Sequence, residues 1–208
     1  MQLSSGVTLR NGKYTIEKML GTGGFGITYL ATRLTIIKDD LGEINTEVKV
    51  AVKEFFMKDY CNRDPLSLFI SIPSVGSKDM VEKFKKKFIK EANNIAELRH
   101  PHIIKVLEVF EENGTAYYAM EYVDGVSLNQ VVKQRGALPE AEALKYIRQI
   151  ADALDFIHQK RMNHLDVKPA NILLKKNGDV VLIDFGLAKQ YDEAGEQKSY
   201  TPVGISPG

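Results

Sequence analysis

The periodicity of apolar residues changes near residue 123, and this change most restricts the folds open to the chain. Before it, five segments alternate in polarity or are rich in β-branched and aromatic residues, as β-strands are. They are 14–20, 27–31, 48–55, 103–110 and 116–122. After it, 127–134 and 139–159 carry apolar residues at helical spacing, and short strands are predicted around 171–174 and 180–183. The chain therefore divides into a strand-rich first part and a mainly helical second part.

One helix is predicted inside the strand-rich part, from Asp79 as its N-cap to the pair His100-Pro101. Its apolar positions are Val81, Phe84, Phe88, Ala92, Ile95 and Leu98. Residues 58–78 contain two prolines and a glycine, so we expect an irregular surface loop. Residues 38–43 are expected to form the tip of a long hairpin. The later helix over 139–159 shows a predicted core stripe of Leu144, Ile147, Ile150, Leu154 and Ile157.

Composition excludes several classes of protein. The 208 residues carry a net charge of +1, which calls for neither nucleic acid nor a membrane surface as a partner. No apolar run reaches the roughly 18 residues of a membrane span, and the first 13 residues do not resemble a signal peptide. Cys61 is the only cysteine, so no internal disulfide can form and a reducing cytoplasm is expected.

The segment Gly21-Thr22-Gly23-Gly24-Phe25-Gly26 has the form G-x-G-x-x-G. A dinucleotide site needs a helix directly after these glycines, but residues 27–31 indicate a strand. A strand–loop–strand hairpin that covers nucleotide phosphates therefore fits better, because glycine lets the backbone approach the phosphates closely. An ordinary hairpin turn remains open for this motif alone.

A lysine in an apolar strand is the second candidate. Lys53 ends the run Val50-Ala51-Val52-Lys53, where burial of its charge requires an anionic partner. Phosphate oxygens and the carboxylate of Glu91, on the predicted helix, would serve. The alternative is that Lys53 extends to solvent while Glu91 pairs with a neighbouring lysine.

The segment 163–171, Asn-His-Leu-Asp-Val-Lys-Pro-Ala-Asn, is the most specific. Asp166 can orient an alcohol and accept its proton, Lys168 can neutralise a phosphoryl group, and the Asn171 side-chain oxygen can hold a hard cation. Asp184, in Asp184-Phe185-Gly186 after an apolar strand, is a second candidate ligand for Mg²⁺.

These motifs, in this order, resemble the signature set of the eukaryotic-type protein kinases over residues 12–208. The sequence of residues 23–31 is similar to those of the bacterial serine/threonine kinases. The resemblance implies an α+β, bilobal fold, with an N-lobe over 1–122 that holds a five-stranded antiparallel sheet and one helix. Residues 123–208 would form the hinge and a partial helical C-lobe that ends before the family's remaining helices.

The resemblance also implies roles for the candidate residues. Gly21, Gly23 and Gly26 would cover the ATP phosphates, and Lys53 would bind two of them and pair with Glu91. Asp166 would position the substrate hydroxyl, Lys168 would steady the phosphoryl group, and Asn171 and Asp184 would hold Mg²⁺. Further roles are implied for Met120 as gatekeeper, for the backbone of Glu121 to Val123 at the adenine, for Ala51 and Leu173 around its ring, and for Ile95, His164 and Phe185 as an internal spine.

Lys168, two residues after Asp166, favours serine or threonine over tyrosine as the acceptor. Leu165 stands where the family usually has an arginine that binds a phosphate on the activation loop, so weak dependence on phosphorylation of Ser199, Thr201 or Ser206 is expected. Ser206 is also matched to the family's substrate-loop threonine. The leading hypothesis is a protein serine/threonine kinase that uses ATP and Mg²⁺. An ATP-binding or interaction module with little turnover, and a small-molecule kinase, are the alternatives.

Overall fold

The computed structural model describes residues 2–39, 42–186 and 188–190. Thirteen strands and three α-helices occur in the described part of the chain. The strands are β1 Thr8–Leu9, β2 Tyr14–Gly23, β3 Gly26–Asp39, β4 Gly42–Phe55, β5 Asn62–Arg63, β6 Ile70–Ser71, β7 Val106–Glu112, β8 Thr115–Glu121, β9 Gly125–Ser127, β10 Met162–Asn163, β11 Ile172–Lys175, β12 Val180–Leu182 and β13 Lys189–Gln190. The helices are α1 Val75–Ala96, α2 Leu128–Arg135 and α3 Glu140–Gln159, and a 3-10 turn spans Pro169–Asn171.

The chain divides into two compact units. The first comprises Met1–Glu97 and Lys105–Tyr122, and the second comprises Leu98–Ile104 and Val123–Gly208. Residues 98–104 join the second unit through β12, since Ile104 N–H donates to the Leu182 carbonyl at 3.0 Å and Ile103 bridges to Leu182. None of the helices in the described residues has the length and hydrophobicity that a membrane span needs.

The first unit is built on a six-stranded antiparallel sheet in the order β1-β2-β3-β4-β8-β7. All five predicted strands are present, and β3 and β4 pair out to Asp39 and Gly42, within the predicted tip of 38–43. The sixth strand, β1, comes from the N-terminal segment, for which no strand was predicted. Its two-residue length gives no readable period, yet Leu3 and Leu9 are both buried in the core.

Glu108 on β7 joins the two ends of this sheet. It accepts hydrogen bonds from Lys13 Nζ at 2.5 Å, Tyr14 Oη at 2.7 Å and Arg10 Nε at 3.0 Å. The rings of Tyr14 and Phe110 stack in parallel at 5.7 Å. The sheet therefore curls until the β1–β2 turn and the start of β2 touch its last strand, β7, through side chains.

The Glu108 carboxylate should make the stability of the chain depend on acid. Burial opposes its charge, but the hydrogen bonds from Lys13, Tyr14 and Arg10 outweigh burial and lower the pKa of Glu108 to about 2. Because the folded pKa lies below the unfolded value, this stabilisation is complete above about pH 5 and is lost as pH falls toward 2. We expect the Glu108→Gln variant to lose about 2 kcal/mol at pH 7, a value reduced for the partly exposed cations. Urea unfolding at several pH values would contradict this if both proteins showed the same acid dependence.

The segment 58–78 is mostly exposed and irregular, as predicted, but it also contains two short strands and the start of α1. β5 and β6 pair within it, and Ile70 N–H donates to the Asn113 carbonyl at 2.8 Å in the β7–β8 turn. Cys61 and Ile70 are buried. We call residues 58–73 the insert. The order of the insert comes from packing on distant strands, so its own sequence does not reveal it.

Helix α1 begins at Val75, four residues before the predicted start. Asp79 is therefore not its N-cap; Ser74 occupies that position without a side-chain bond. The helix ends at Ala96, before the predicted His100-Pro101. Propensity alone misplaced the start, because Val75 and Gly76 are weak helix formers and yet lie in its first turn.

The second unit packs α3 against β10 and β12. Its buried residues are Tyr146, Ile150, Ala153 and Ile157. The predicted stripe is wrong at Leu144 and Ile147, which are 40% and 62% exposed, because the helix presents the face of Tyr146 and Ala153 to the strands. Lys189 and Gln190 form β13 on β10, within a segment predicted as loop from residue 189. Ser199, Thr201 and Ser206 lie outside the described residues.

Candidate active site

The glycine-rich segment forms the predicted strand–loop–strand hairpin. Gly21 and Gly23 lie in β2, Gly26 opens β3, and Gly23 pairs with Gly26. The Phe25 carbonyl accepts a 3.0 Å hydrogen bond from Phe56 N–H. The Phe25 ring stacks on Phe84 of α1 with centroids 5.0 Å apart. The loop tip is therefore held both by the residue directly after β4, the strand of Lys53, and by the helix that carries Glu91.

The glycines of this loop have different surroundings. A Cβ at Gly26 would lie 2.5 Å from the Glu54 carbonyl oxygen, whereas a Cβ at Gly21 or Gly23 would meet nothing within 4 Å. Gly26 is thus required by packing in the protein itself. Gly21 and Gly23 leave open backbone that a ligand can approach.

This difference predicts separable effects of two alanine substitutions. Gly26→Ala should lower the free energy of unfolding by about 2 kcal/mol, because a backbone oxygen of a packed strand must move. Gly23→Ala should change stability by less than about 0.5 kcal/mol. Thermal or urea unfolding of both variants tests this, and equal losses would contradict it.

Strand β4 carries two candidate residues next to β8. Ala51 pairs with Met120, and Lys53 pairs with Tyr118. Lys53 Nζ lies 5.9 Å from the centre of the Tyr118 ring, and its side chain is half-buried. Glu91 is half-buried on α1, one turn before the buried Ile95. Glu121 N–H donates to the Lys105 carbonyl at 2.9 Å, which fixes the end of β8.

In the second unit, Asp166 is held by two neighbours. Its Oδ2 accepts a hydrogen bond from Asn171 Nδ2 at 2.8 Å and lies 3.0 Å from Lys168 Nζ. Asn171 Nδ2 also donates to the Asp166 carbonyl at 2.9 Å. Asn171 is buried, because the 3-10 turn begun by Pro169 folds it back under the loop. The structure thus brings together three of the predicted residues: a carboxylate, an ammonium and an amide.

Buried His164 connects this loop to the strand before Asp184. Its Nδ1 accepts from Asp166 N–H at 3.2 Å, and its Nε2 lies 3.1 Å from the Ile183 carbonyl, which assigns the proton to Nε2. Its ring meets the buried Phe185 edge-on at 4.5 Å. Burial lowers the pKa of His164, so the ring is neutral at pH 7. Ile183 N–H also donates to the Asn171 carbonyl at 2.9 Å.

Asp184 itself is exposed and has φ of +59°, in the left-handed region that few residues other than glycine adopt. Leu165 shares this conformation, with φ of +62°, and is half exposed. Such conformations concentrate at functional sites, where the surrounding structure enforces them. Here the bonds of His164 and Asn171 supply that enforcement.

The remaining predicted residues lie at the start of the second unit and in its small sheet. Val123 begins the second segment of that unit, and Leu173 lies in β11, where it pairs with Ser127 of β9 and Val181 of β12. Gly125 in β9 leaves no room for a side chain against the Leu174 carbonyl. Both Val123 and Leu173 are half-buried.

One pair of buried charged residues was missed by sequence reasoning. Glu54 is fully buried and pairs with Arg63 of the insert at 2.6 Å. A signal existed for Glu54, because strand alternation places it on the same face as the apolar Val50 and Val52. Nothing in the sequence pointed to Arg63.

Comparison with known proteins also points to protein kinases. Residues 67–206, more than half of the chain, match the family described as "Protein kinase domain". Among curated relatives, PrkC of Bacillus subtilis is 30% identical over 86% of this chain and 23% of its own length. PknB of Mycolicibacterium smegmatis is 34% identical over 93% of this chain and 27% of its own. Both are serine/threonine-protein kinases, and this chain spans about a quarter of each.

Solved structures are similar as well. The apo form of PpkA-294 superposes with a TM-score of 0.76 at 28% identity, over 89% of this chain and 62% of that one. The kinase domain of PknI from Mycobacterium tuberculosis gives 0.63 at 30% identity, over 90% and 64%. These similarities confirm the predicted kinase-like fold class, with a sheet of six rather than five strands. The chain belongs to the protein kinase domain family and is similar to bacterial serine/threonine kinases within it.

Proposed function

We propose that the chain carries the site of a protein serine/threonine kinase that transfers the γ-phosphoryl group of ATP to a protein hydroxyl. The geometry at Asp166 is the main support. Lys168 and Asn171 both bind Oδ2, so Oδ1 would meet the substrate hydroxyl and accept its proton. Lys168 would neutralise charge on the transferring group. The proposal includes a cytoplasmic location for the protein and a serine or threonine of a protein substrate as the acceptor.

Residues of the first unit would bind the nucleotide. The open backbone at Gly21 and Gly23 would approach the phosphates, with Gly26 fixing the loop, and Lys53, paired with Glu91, would bind phosphate oxygens. Ala51 would contact the adenine ring, with Met120 beside it as gatekeeper. Because Glu121 N–H is already bonded to Lys105, the Glu121 carbonyl and the Val123 N–H would bind the adenine edge.

The donor set fits Mg²⁺. Nowhere in 2–39, 42–186 and 188–190 do three His, Cys, Asp or Glu side chains cluster as a metal site. Mg²⁺ does not need such a cluster, because it is commonly held by one or two carboxylates together with phosphate oxygens and water. Asp184 and the Asn171 Oδ1 would hold it, since Asn171 Nδ2 is committed to Asp166. When bound, the ion neutralises phosphate charge.

Transfer of labelled phosphate by the purified chain to a generic protein rich in serine and threonine tests this function. We expect transfer with Mg²⁺, none with excess EDTA, and label on serine or threonine after acid hydrolysis. Stabilisation by Mg²⁺ and ATP without any transfer would favour the ATP-binding module. Transfer to a metabolite but to no protein would favour a small-molecule kinase. The absence of both nucleotide binding and phosphate transfer would refute the proposal.

A further inference from the structure

A buried ion pair lies directly behind Lys53. Side chains of successive strand residues point to opposite faces, so Glu54 faces away from Lys53. Glu54 and Arg63 are 0% and 3% exposed in their side chains, and Arg63 Nη2 lies 2.6 Å from Glu54 Oε2. Arg63 Nη1 also donates to the Leu68 carbonyl at 3.1 Å, which closes the insert on itself.

Two tyrosines complete the environment of Glu54. Tyr117 Oη donates to Oε1 at 2.6 Å and Tyr29 Oη donates to Oε2 at 2.8 Å. Burial and the Glu54 charge raise the pKa values of both phenols, so they remain protonated donors. Tyr29 Oη in turn accepts from Leu3 N–H at 3.1 Å. One carboxylate thereby connects the N-terminal segment, β3, β4, β8 and the insert.

A gain in stability does not by itself explain why the fold buries such an ion pair. Removing two charges from water costs about as much as their attraction returns, and apolar residues of similar volume often stabilise equally well. A buried pair does, however, hold its backbone at a defined place, because breaking it leaves an uncompensated charge. The backbone held here belongs to the nucleotide-facing machinery.

One peptide bond and two contacts carry that effect to the phosphate-binding residues. Lys53 is the preceding residue on β4. The Glu54 carbonyl lies against the Cα of Gly26, where no Cβ can fit. Phe56 N–H holds the Phe25 carbonyl at the loop tip. A shift of β4 at Glu54 would thus move Lys53 and the glycine-rich loop together.

We propose that Glu54 and Arg63 are positioning residues, and that the insert serves to supply Arg63 so that Lys53 and the glycine-rich loop are aligned for the phosphates of the nucleotide. This inference rests on the proposed nucleotide site but concerns residues outside it. It predicts that damage to the pair weakens binding of the phosphates and leaves binding of the nucleoside unchanged.

Calorimetry with Mg²⁺-ATP, Mg²⁺-ADP and adenosine tests this in the whole chain. Glu54→Gln and Arg63→Met should each weaken ATP and ADP binding about tenfold, which corresponds to the loss of one charged contact. Adenosine affinity should stay within about twofold, because no phosphate is involved. Glu108→Gln is the matched control: it breaks a comparable network in the same unit on a strand separated from β4 by β8, and it should lower Tm without changing either affinity.

The double variant Glu54→Gln/Arg63→Met separates positioning from stability, because it removes both charges and keeps a side-chain acceptor for the tyrosine hydroxyls. We expect it to recover the Tm lost in the single variants while ATP affinity stays about tenfold weak. Recovery of ATP affinity together with Tm would overturn the inference, as would wild-type affinity for ATP in the folded single variants. A wild-type chain that binds adenosine but not ATP would do the same. A wild-type chain that binds no nucleotide or nucleoside at all would refute the proposed function itself.

Discussion

Replacing Asp166 with asparagine should lower the rate of phosphoryl transfer by roughly 10²–10⁴-fold. Asparagine matches the shape of aspartate but cannot accept the proton of the substrate hydroxyl, and it loses the charge that binds Lys168 at 3.0 Å. Affinity for Mg²⁺-ATP should stay within about threefold, because Asp166 is assigned to the hydroxyl rather than to the nucleotide. Rates from labelled phosphate transfer, with calorimetry for binding, provide the two measurements.

Asp179→Asn is the matched control for this substitution. Asp179 is another carboxylate of the second unit, bonded to Gln149 at 2.8 Å and paired with Lys145 at 3.3 Å. It belongs to the turn between β11 and β12, so its loss should leave the rate within about twofold. An Asp166→Asn rate close to that of this control would remove Asp166 from the mechanism.

Asn171→Asp should destabilise the chain by about 3 kcal/mol at pH 7 in the absence of metal. The two Nδ2 hydrogen bonds to Asp166, at 2.8 and 2.9 Å, are lost, and the new carboxylate at the buried position 171 then faces that of Asp166. Aspartate is nominally a better Mg²⁺ ligand than asparagine, so selection for metal binding alone would predict a harmless change. The orientation of Nδ2 toward Asp166 predicts a harmful one.

The pH dependence identifies the cause. Repulsion raises the pKa of the carboxyl pair above its unfolded value, so the deficit should shrink as pH falls and one proton binds. Urea unfolding between pH 5 and pH 8, beside Asn171→Ala, measures this. Asn171→Ala has no second charge, so its smaller deficit should not depend on pH in this range. An Asn171→Asp deficit that is equally independent of pH would contradict the like-charge explanation.

The sequence predicted what depends on local pattern. The glycine hairpin, the strands around Lys53 and the loop of Asp166 to Asn171 are each encoded within about ten residues, and each was found where expected. Helix α2 belongs to the same group, since Ser127 and Gln130 form a capping box that neighbouring residues specify. Roles for these residues in binding and catalysis stay predictions until the variants are measured.

What the sequence did not predict depends on distant partners. The insert has no period of its own, and its order comes from Glu54 and from the Asn113 carbonyl. β1 is two residues long and exists because Leu9 is buried in the core. In α3, apolar residues cover more than one face, so only the packed strands decide that Tyr146 is buried and Ile147 is not.

The closure of the first sheet at Glu108 sets an order of events during synthesis. Arg10, Lys13 and Tyr14 must wait for a partner 94 to 98 residues further along the chain. Strands β2, β3 and β4 can pair as neighbouring hairpins soon after they leave the ribosome, but the sheet cannot close until β7 and β8 have emerged. At about 5–20 residues per second, Glu108 follows these residues by roughly 5–20 seconds, and for much of that time the edge of β4 that pairs with β8 is also unpaired. In each round of translation, this interval is when the nascent chain is most open to aggregation and to chaperones.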